Sequence, residues 1–309
     1  MPQLFARGFG VMMNFNRVIV ALMAATLGFD SVFGQDNEAD GITIGVVGRA
    51  LEDVTEIFEN ANIKLPARSG ILAVHVVAYG PAHKAGISDL DIIVKINKTR
   101  VSTIDEFKAT VSSLDPTKPC SVEGFHAIRA PSGKATWKRG TLKMTPVRRK
   151  ELYLNAMRTE KDEITGIVKY THRDSTKFVN SSTEIYCYVL IENGGPPQLR
   201  LHVQYVADDW LFVRRLTIKA DDEKFSVEPS RLEGFETDNS GGKIWEWCNW
   251  PVDDELRSKL LSIIGSRDAV LRFEGDKYNK DVEITVTDKS RLHTVLAVYD
   301  ILREDALGK

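Results

Sequence analysis

Gly80-Pro81-Ala82-His83-Lys84-Ala85-Gly86-Ile87-Ser88-Asp89-Leu90-Asp91-Ile92-Ile93-Val94-Lys95-Ile96-Asn97 is the stretch whose reading decides the first half of this chain. It joins a tight turn at Gly80-Pro81, one helical turn through Ala85-Gly86, and an apolar strand from Asp91 to Ile96. Working outward, Ile42-Thr43-Ile44-Gly45-Val46-Val47 and Gly70 to Val77 read as strands, being β-branched runs bounded by turn residues. Between them Val54, Ile57, Phe58 and Ala61 recur at helical spacing within Leu51 to Ala61. A further helix starts at Thr103, where the hydroxyl can cap and Glu106 can reach back. Its apolar stripe is Ile104, Phe107, Val111 and Leu114, and Asp115-Pro116 ends it. Strands at Cys120 to Ile128 and Ala135 to Pro146 follow, separated by the turn Pro131-Ser132-Gly133.

That order of elements resembles a PDZ domain of the bacterial, circularly permuted type found in periplasmic trypsin-like proteases, over about residues 41–147. The resemblance rests on Ile44-Gly45-Val46, similar to the family's carboxylate-binding loop, on Gly80-Pro81-Ala82 with Ala85-Gly86-Ile87, and on Asp91-Ile92-Ile93 leading to Asn97. Two positions depart from it. Leu90 and Lys98 stand where the family usually has glycine, in turns that often require positive φ, where a side chain costs about 1 kcal/mol.

The resemblance implies a groove in which an extended peptide adds a strand beside Ile44 to Gly48 by β-augmentation. Amides near Thr43, Ile44, Gly45 and Val46 would hold a terminal carboxylate. Ile44, Val46, Phe107 and Val111 would line the pocket for an apolar last residue. For Phe107 and Val111 a second reading stands beside this one, because a helix stripe also serves simply to close a core.

The rest of the chain carries weaker signals. Arg7 and Arg17 precede the twelve-residue apolar run Val18 to Phe29, which as a helix rises about 18 Å, short of a hydrocarbon core of roughly 30 Å. Residues 1–34 therefore read as a signal peptide cleaved after Gly34, residues 35–41 as a linker, and the protein as secreted or periplasmic, with no stable membrane span after cleavage. The formal charge of -2 and the scattered charges disfavour a nucleic-acid partner. Three cysteines, Cys120, Cys187 and Cys248, leave at least one unpaired; Cys187 and Cys248 either pair or are buried thiols.

A boundary is expected at Arg148-Arg149-Lys150. Residues 151–309 then read as a β-rich domain with two peripheral helices, Asp253 to Ile264 and Lys289 to Leu302, similar to no recognised family. The expected fold class is α+β: a PDZ-like, partly open β-barrel with two helices over residues 42–147, followed by that β-rich domain. Strands are expected at Ile164 to Tyr170, Glu184 to Ile191, Leu199 to Val206 and Trp210 to Ile218, among others. His172-Arg173-Asp174 is not a kinase loop, since Asn180 falls one residue too far along. Trp245 and Trp247 alternate on one face of a strand and can either stack on a ligand or cap a core. His75 and His83 have no ligand-spaced partner, so no metal and no cofactor is expected.

No catalytic motif is present, and too few residues precede the first strand for an upstream protease domain. The leading expectation is an exported, non-catalytic protein that binds peptide or protein C-termini with an apolar last residue, its second half adding another interaction surface. The runner-up is a hydrolase with an unrecognised site in the C-terminal half, recognisable by a nucleophile, a histidine and a carboxylate gathered in one pocket.

Overall fold

The computed structural model describes residues 41–129, 135–227 and 234–307. The expected leader at 1–34, the linker residues 35–40 and the turn Pro131-Ser132-Gly133 lie outside the described residues. The described chain is α+β and mostly sheet, with six helices and four separate hydrogen-bonded sheets, none closed into a barrel.

In the first half, strands β1 (Ile42–Thr43), β2 (Val46–Ala50), β3 (Ile71–Val76), β4 (Ile92–Ile96), β5 (Thr99–Arg100), β6 (Cys120–Arg129), β7 (Ala135–Met144) and β8 (Val147–Arg148) alternate with three helices. These are α1 (Leu51–Asn60), α2 (Pro81–Ala85), which is the helical turn read after Gly80, and α3 (Ile104–Ser112). The main sheet runs β2-β3-β4-β6-β7, with β5 paired to β4, while β1 leaves it to pair with β8. Alternation along β3 divides the apolar residues between two faces. Ile71 and Ala73 join Phe107 and Val111 of α3, whereas Leu72 and Val74 join Leu51, Val54 and Phe58 of α1. The segment that follows β2 therefore packs on the face opposite α3.

The run that decided the reading is held by its own polar groups. Asp91 is buried and accepts from Ser88 N–H at 3.0 Å and from Ala127 N–H at 2.9 Å, with His126 Nδ1 at 2.7 Å. It thus closes the turn before β4 and ties it to β6. Gly86 takes φ +93°, as an αL residue ending a helix does. Leu90 keeps the positive-φ turn that glycine normally fills, at φ +74°, and in the next turn positive φ falls on Asn97 rather than Lys98.

Leucine is tolerated there because it is 3% exposed, packed with Leu51, Phe58, Leu72 and Ile92. Burying such a side chain contributes about 1.5–3 kcal/mol, which exceeds the roughly 1–2 kcal/mol cost of left-handed backbone. Leu90→Gly is accordingly expected to destabilise the protein by about 1 kcal/mol in urea denaturation despite relieving the backbone. A stabilised variant would contradict that balance.

The second half has its own core. Strands β9 (Met157–Lys161), β10 (Ile167–His172), β11 (Glu184–Glu192), β12 (Gln198–Ala207), β15 (Glu236–Ser240) and β16 (Lys243–Pro251) form one sheet in the order β15-β16-β12-β11-β10-β9. A second sheet runs β14-β13-β17-β18, from β13 (Arg215–Ala220), β14 (Glu223–Val227), β17 (Ala269–Glu274) and β18 (Asn279–Glu283). Helices α4 (Arg149–Asn155), α5 (Asp254–Gly265) and α6 (Val286–Leu307) complete it.

Helix α6 is longer than the expected Lys289 to Leu302 and is not merely peripheral. Its Leu292, Val295 and Val298 are fully buried in one cluster with Cys187, Leu201 and Leu271 from both sheets. None of the three cysteines is in a disulfide and all are buried, and burial pushes the Cys187 thiol well up from its ordinary value. Trp245 and Trp247 share the sheet face opposite the core, because Trp250 and Cys248 pair across to Leu201 and Val203, which point inward. Among the described residues no helix is long and apolar enough to cross a membrane.

Candidate functional site

The strand expected across Ile42 to Val47 is interrupted at Gly45, whose φ of +79° belongs to glycine and turns the chain between β1 and β2. The loop is held from behind by the elements of the diagnostic run. Ile44 C=O accepts from Ala82 N–H at 2.9 Å, and Gly45 C=O accepts from Val77 N–H at 2.9 Å. Thr43 Oγ1 accepts from Gly45 N–H at 3.0 Å, so the hydroxyl already occupies one of the amides proposed for a carboxylate.

Beyond the loop, β2 pairs with β3 on one side and lies at the margin of its sheet, with α3 alongside. The wall formed by α3 is set by its capping box: Thr103 Oγ1 accepts from Glu106 N–H at 3.2 Å, and Glu106 Oε2 accepts from Thr103 N–H at 3.3 Å.

Between β2 and α3 lies a cavity of about 150 Å³. Thr43, Ile44, Gly45, Val46, Phe107 and Val111 all line it. Ile44, Phe107 and Val111 are also members of the core cluster on that side of the sheet, so they close the core and face the cavity at once. Ile104 and Ser112 extend the α3 wall. The charged lining residues, Lys108 and Arg149, are both basic, and no acidic side chain lines the cavity. The arrangement offers a slot lined by apolar side chains and loop backbone, with a positive rim, beside the edge of β2, which among the described residues pairs on one side only.

Arg149, Leu152 and Tyr153 come from α4, which sequence reasoning passed over. Arg148-Arg149-Lys150 read as a boundary, and a helix with so few apolar positions has no legible periodicity. Burial pushes the Tyr153 phenol up from its ordinary value, partly countered by the Arg149 charge.

The junction between the halves gathers several histidines. His75 Nε2 and Ser290 Oγ of α6 lie 3.0 Å apart, a hydroxyl–imidazole pair of the kind a hydrolase would need. Asp89, whose charge acts on His75, accepts at Oδ1 from Val76 N–H at 2.9 Å. Tyr79 donates to Asp174, and its ring lies beneath the Arg173 guanidinium and 6.3 Å from the His172 ring. Among the described residues no group of three or more His, Cys, Asp or Glu side chains is arranged to hold a metal ion. In comparison with known proteins, no protein-family model matches the chain, and no curated protein matches it either.

Proposed function

We propose that this is an exported, two-domain protein whose PDZ-like first domain binds the C-terminal ends of peptides or proteins. The reading rests above all on one observation: six residues chosen for this role from sequence, on three separate elements, line a single cavity beside the edge of β2. An extended peptide would add to that edge as a further strand, its main chain supplying affinity and its last side chain entering the slot. The basic rim of Lys108 and Arg149 complements a carboxylate. The placement of residues 51–60 on the opposite sheet face supports recognition over a purely structural role, in which that segment would fill the groove. The second domain then acts as a further interaction surface.

A C-terminal peptide-library screen on the full chain tests this proposal. Amidating the peptide terminus should weaken binding by roughly tenfold or more, since hydrogen bonds to a charged group contribute about 1.5–3 kcal/mol. Gly45→Trp, which loads a side chain onto a φ of +79°, should weaken it further. Peptides that bind equally after both changes would sink carboxylate capture.

A further inference from the structure

The end of the groove is closed by a helix that follows it in the chain. Strand β8 pairs with β1 through Ile42 with Arg148 and Thr43 with Val147, and Arg149 N–H donates to Gly41 C=O at 2.8 Å. These bonds fasten the start of α4 to the strand that leads into the carboxylate loop. One turn on, Leu152 is 3% exposed. A Cβ built on Gly45 would lie 3.1 Å from its Cδ1, and one on Gly80 only 2.6 Å from it. The leucine methyl thus fills a notch that exists because both loop positions are glycine. Tyr153, beside it, lines the same cavity and meets His293 of α6 edge-on, with ring centroids 6.0 Å apart.

We infer that α4 turns the groove into a blind-ended, size-selective slot, in which Leu152 sets the largest C-terminal side chain accepted and Arg149 supplies positive charge to the carboxylate. This rests on the reading of the groove as a site for peptide ends, and it adds that the C-terminal half writes part of the specificity. A cavity of about 150 Å³ matches the size of engineered apolar cavities that accept benzene. Valine, leucine and phenylalanine side chains fit that volume, and the bulkier indole is the side chain that Leu152 would keep out. The occupant is therefore the free C-terminus of a partner ending in an aliphatic or phenyl side chain. On this reading the peptide ends against Leu152, beside the Gly45 loop, so a free C-terminus rather than an internal loop is the occupant.

The test uses the full-length protein and fluorescein-labelled peptides with randomised upstream residues, ending in Ala, Val, Leu, Phe or Trp, each as free acid and as amide. Wild type should prefer Val, Leu and Phe endings to Trp by about tenfold or more, the usual scale for a pocket rejecting excess volume. Leu152→Ala should raise Trp-ended relative to Leu-ended binding by about tenfold, and Leu152→Met should keep the wild-type order. Arg149→Gln should lower the acid-to-amide ratio about fivefold or more while leaving the order of terminal residues unchanged.

An unchanged order in Leu152→Ala, or an unchanged ratio in Arg149→Gln, overturns the corresponding half of the inference and leaves the groove reading standing. No binding to wild type by any free-acid peptide overturns both. If Leu152→Ala fails to fold by thermal denaturation, Leu152→Val decides, since removing one methylene should move the order in the same direction.

Discussion

Glu246→Gln is expected to destabilise the protein by about 3 kcal/mol, although it changes a single atom. Glu246 lies on β16, paired with Tyr205, and is 0% exposed. Its Oε1 accepts from Leu211 N–H at 2.8 Å and from Phe212 N–H at 2.9 Å, and its Oε2 accepts from Val213 N–H at 2.7 Å. Three consecutive amides thus converge on one buried carboxylate, holding the segment before β13 in a shape that puts Phe212 at φ +53°.

An amide side chain has only one oxygen, so at least one backbone donor would face an NH₂ group. Hydrogen bonds to a charged group contribute about 1.5–3 kcal/mol each, and a buried donor left unmatched costs about 1–3 kcal/mol. Glu246→Ala, which orphans all three, should cost more still. Chemical denaturation measures both, and a glutamine variant within about 1 kcal/mol of wild type would refute the account. The segment has little room to adjust, because a Cβ on Gly275 would come within 1.9 Å of Leu211 C=O.

The second large effect is a loss of stability in mild acid. Burial depresses the pKa of His75, His172, His202 and His293 below the ordinary 6.5, to about 4 for His172 and about 3 for His293. At pH 5 the imidazoles of His172 and His293 are neutral in the folded protein and protonated once unfolded. The unfolded state then binds more protons, and stability rises with pH. The contribution is complete above about pH 6.5 and is lost progressively as pH falls toward the folded values, at about 1.4 kcal/mol per pH unit for each such group.

His172 and His293 together should remove about 3 kcal/mol or more between pH 7 and pH 5. Asp89 works in the other direction: burial raises its pKa, so its contribution diminishes as pH rises through that value. Paired surface carboxylates such as Asp276 and Asp281, held low by Arg214 and Arg272, lose their contribution only in stronger acid. Between pH 5 and pH 6.5 the loss is therefore carried by His172 and His293, with Asp89 acting against it. Guanidinium midpoints measured across it should fall for wild type and flatten for a His172→Gln/His293→Gln variant. Equal slopes in the two proteins would rule the explanation out.

Three of these histidines sit where the halves meet. His75 touches Ser290 of α6, His172 neighbours Tyr79, and His293 meets Tyr153 beside the groove. Acid should therefore loosen the contacts at the junction, with amide exchange rising around His75, His172 and His293.

The elements around the cavity were largely legible because their signals are local. The helix at Thr103 announced itself through a capping box closed within four residues, whereas the turn at Gly45, inside a run read as continuous strand, shows only in its φ of +79°. Where reading failed, a distant partner had intervened. The apolar run from Trp210 read as a strand, yet β13 begins only at Arg215, because Glu246 takes the Leu211, Phe212 and Val213 amides that a ladder would use. Strand β9, Met157-Arg158-Thr159-Glu160-Lys161, shows no apolar alternation, since it is a sheet edge with its last three residues exposed.

By itself the sequence determined the α+β class, the groove's loop and helix, and the apolar faces of α1 and α3, because backbone preference and hydrophobic period act between near neighbours. Tertiary structure alone decided that Leu90 holds a glycine's turn, that Leu152 fills the notch between Gly45 and Gly80, and that α6 runs through the second core. Each of those depends on contacts between residues far apart in the chain, whose gain in burial outweighs a local preference that would have pointed elsewhere.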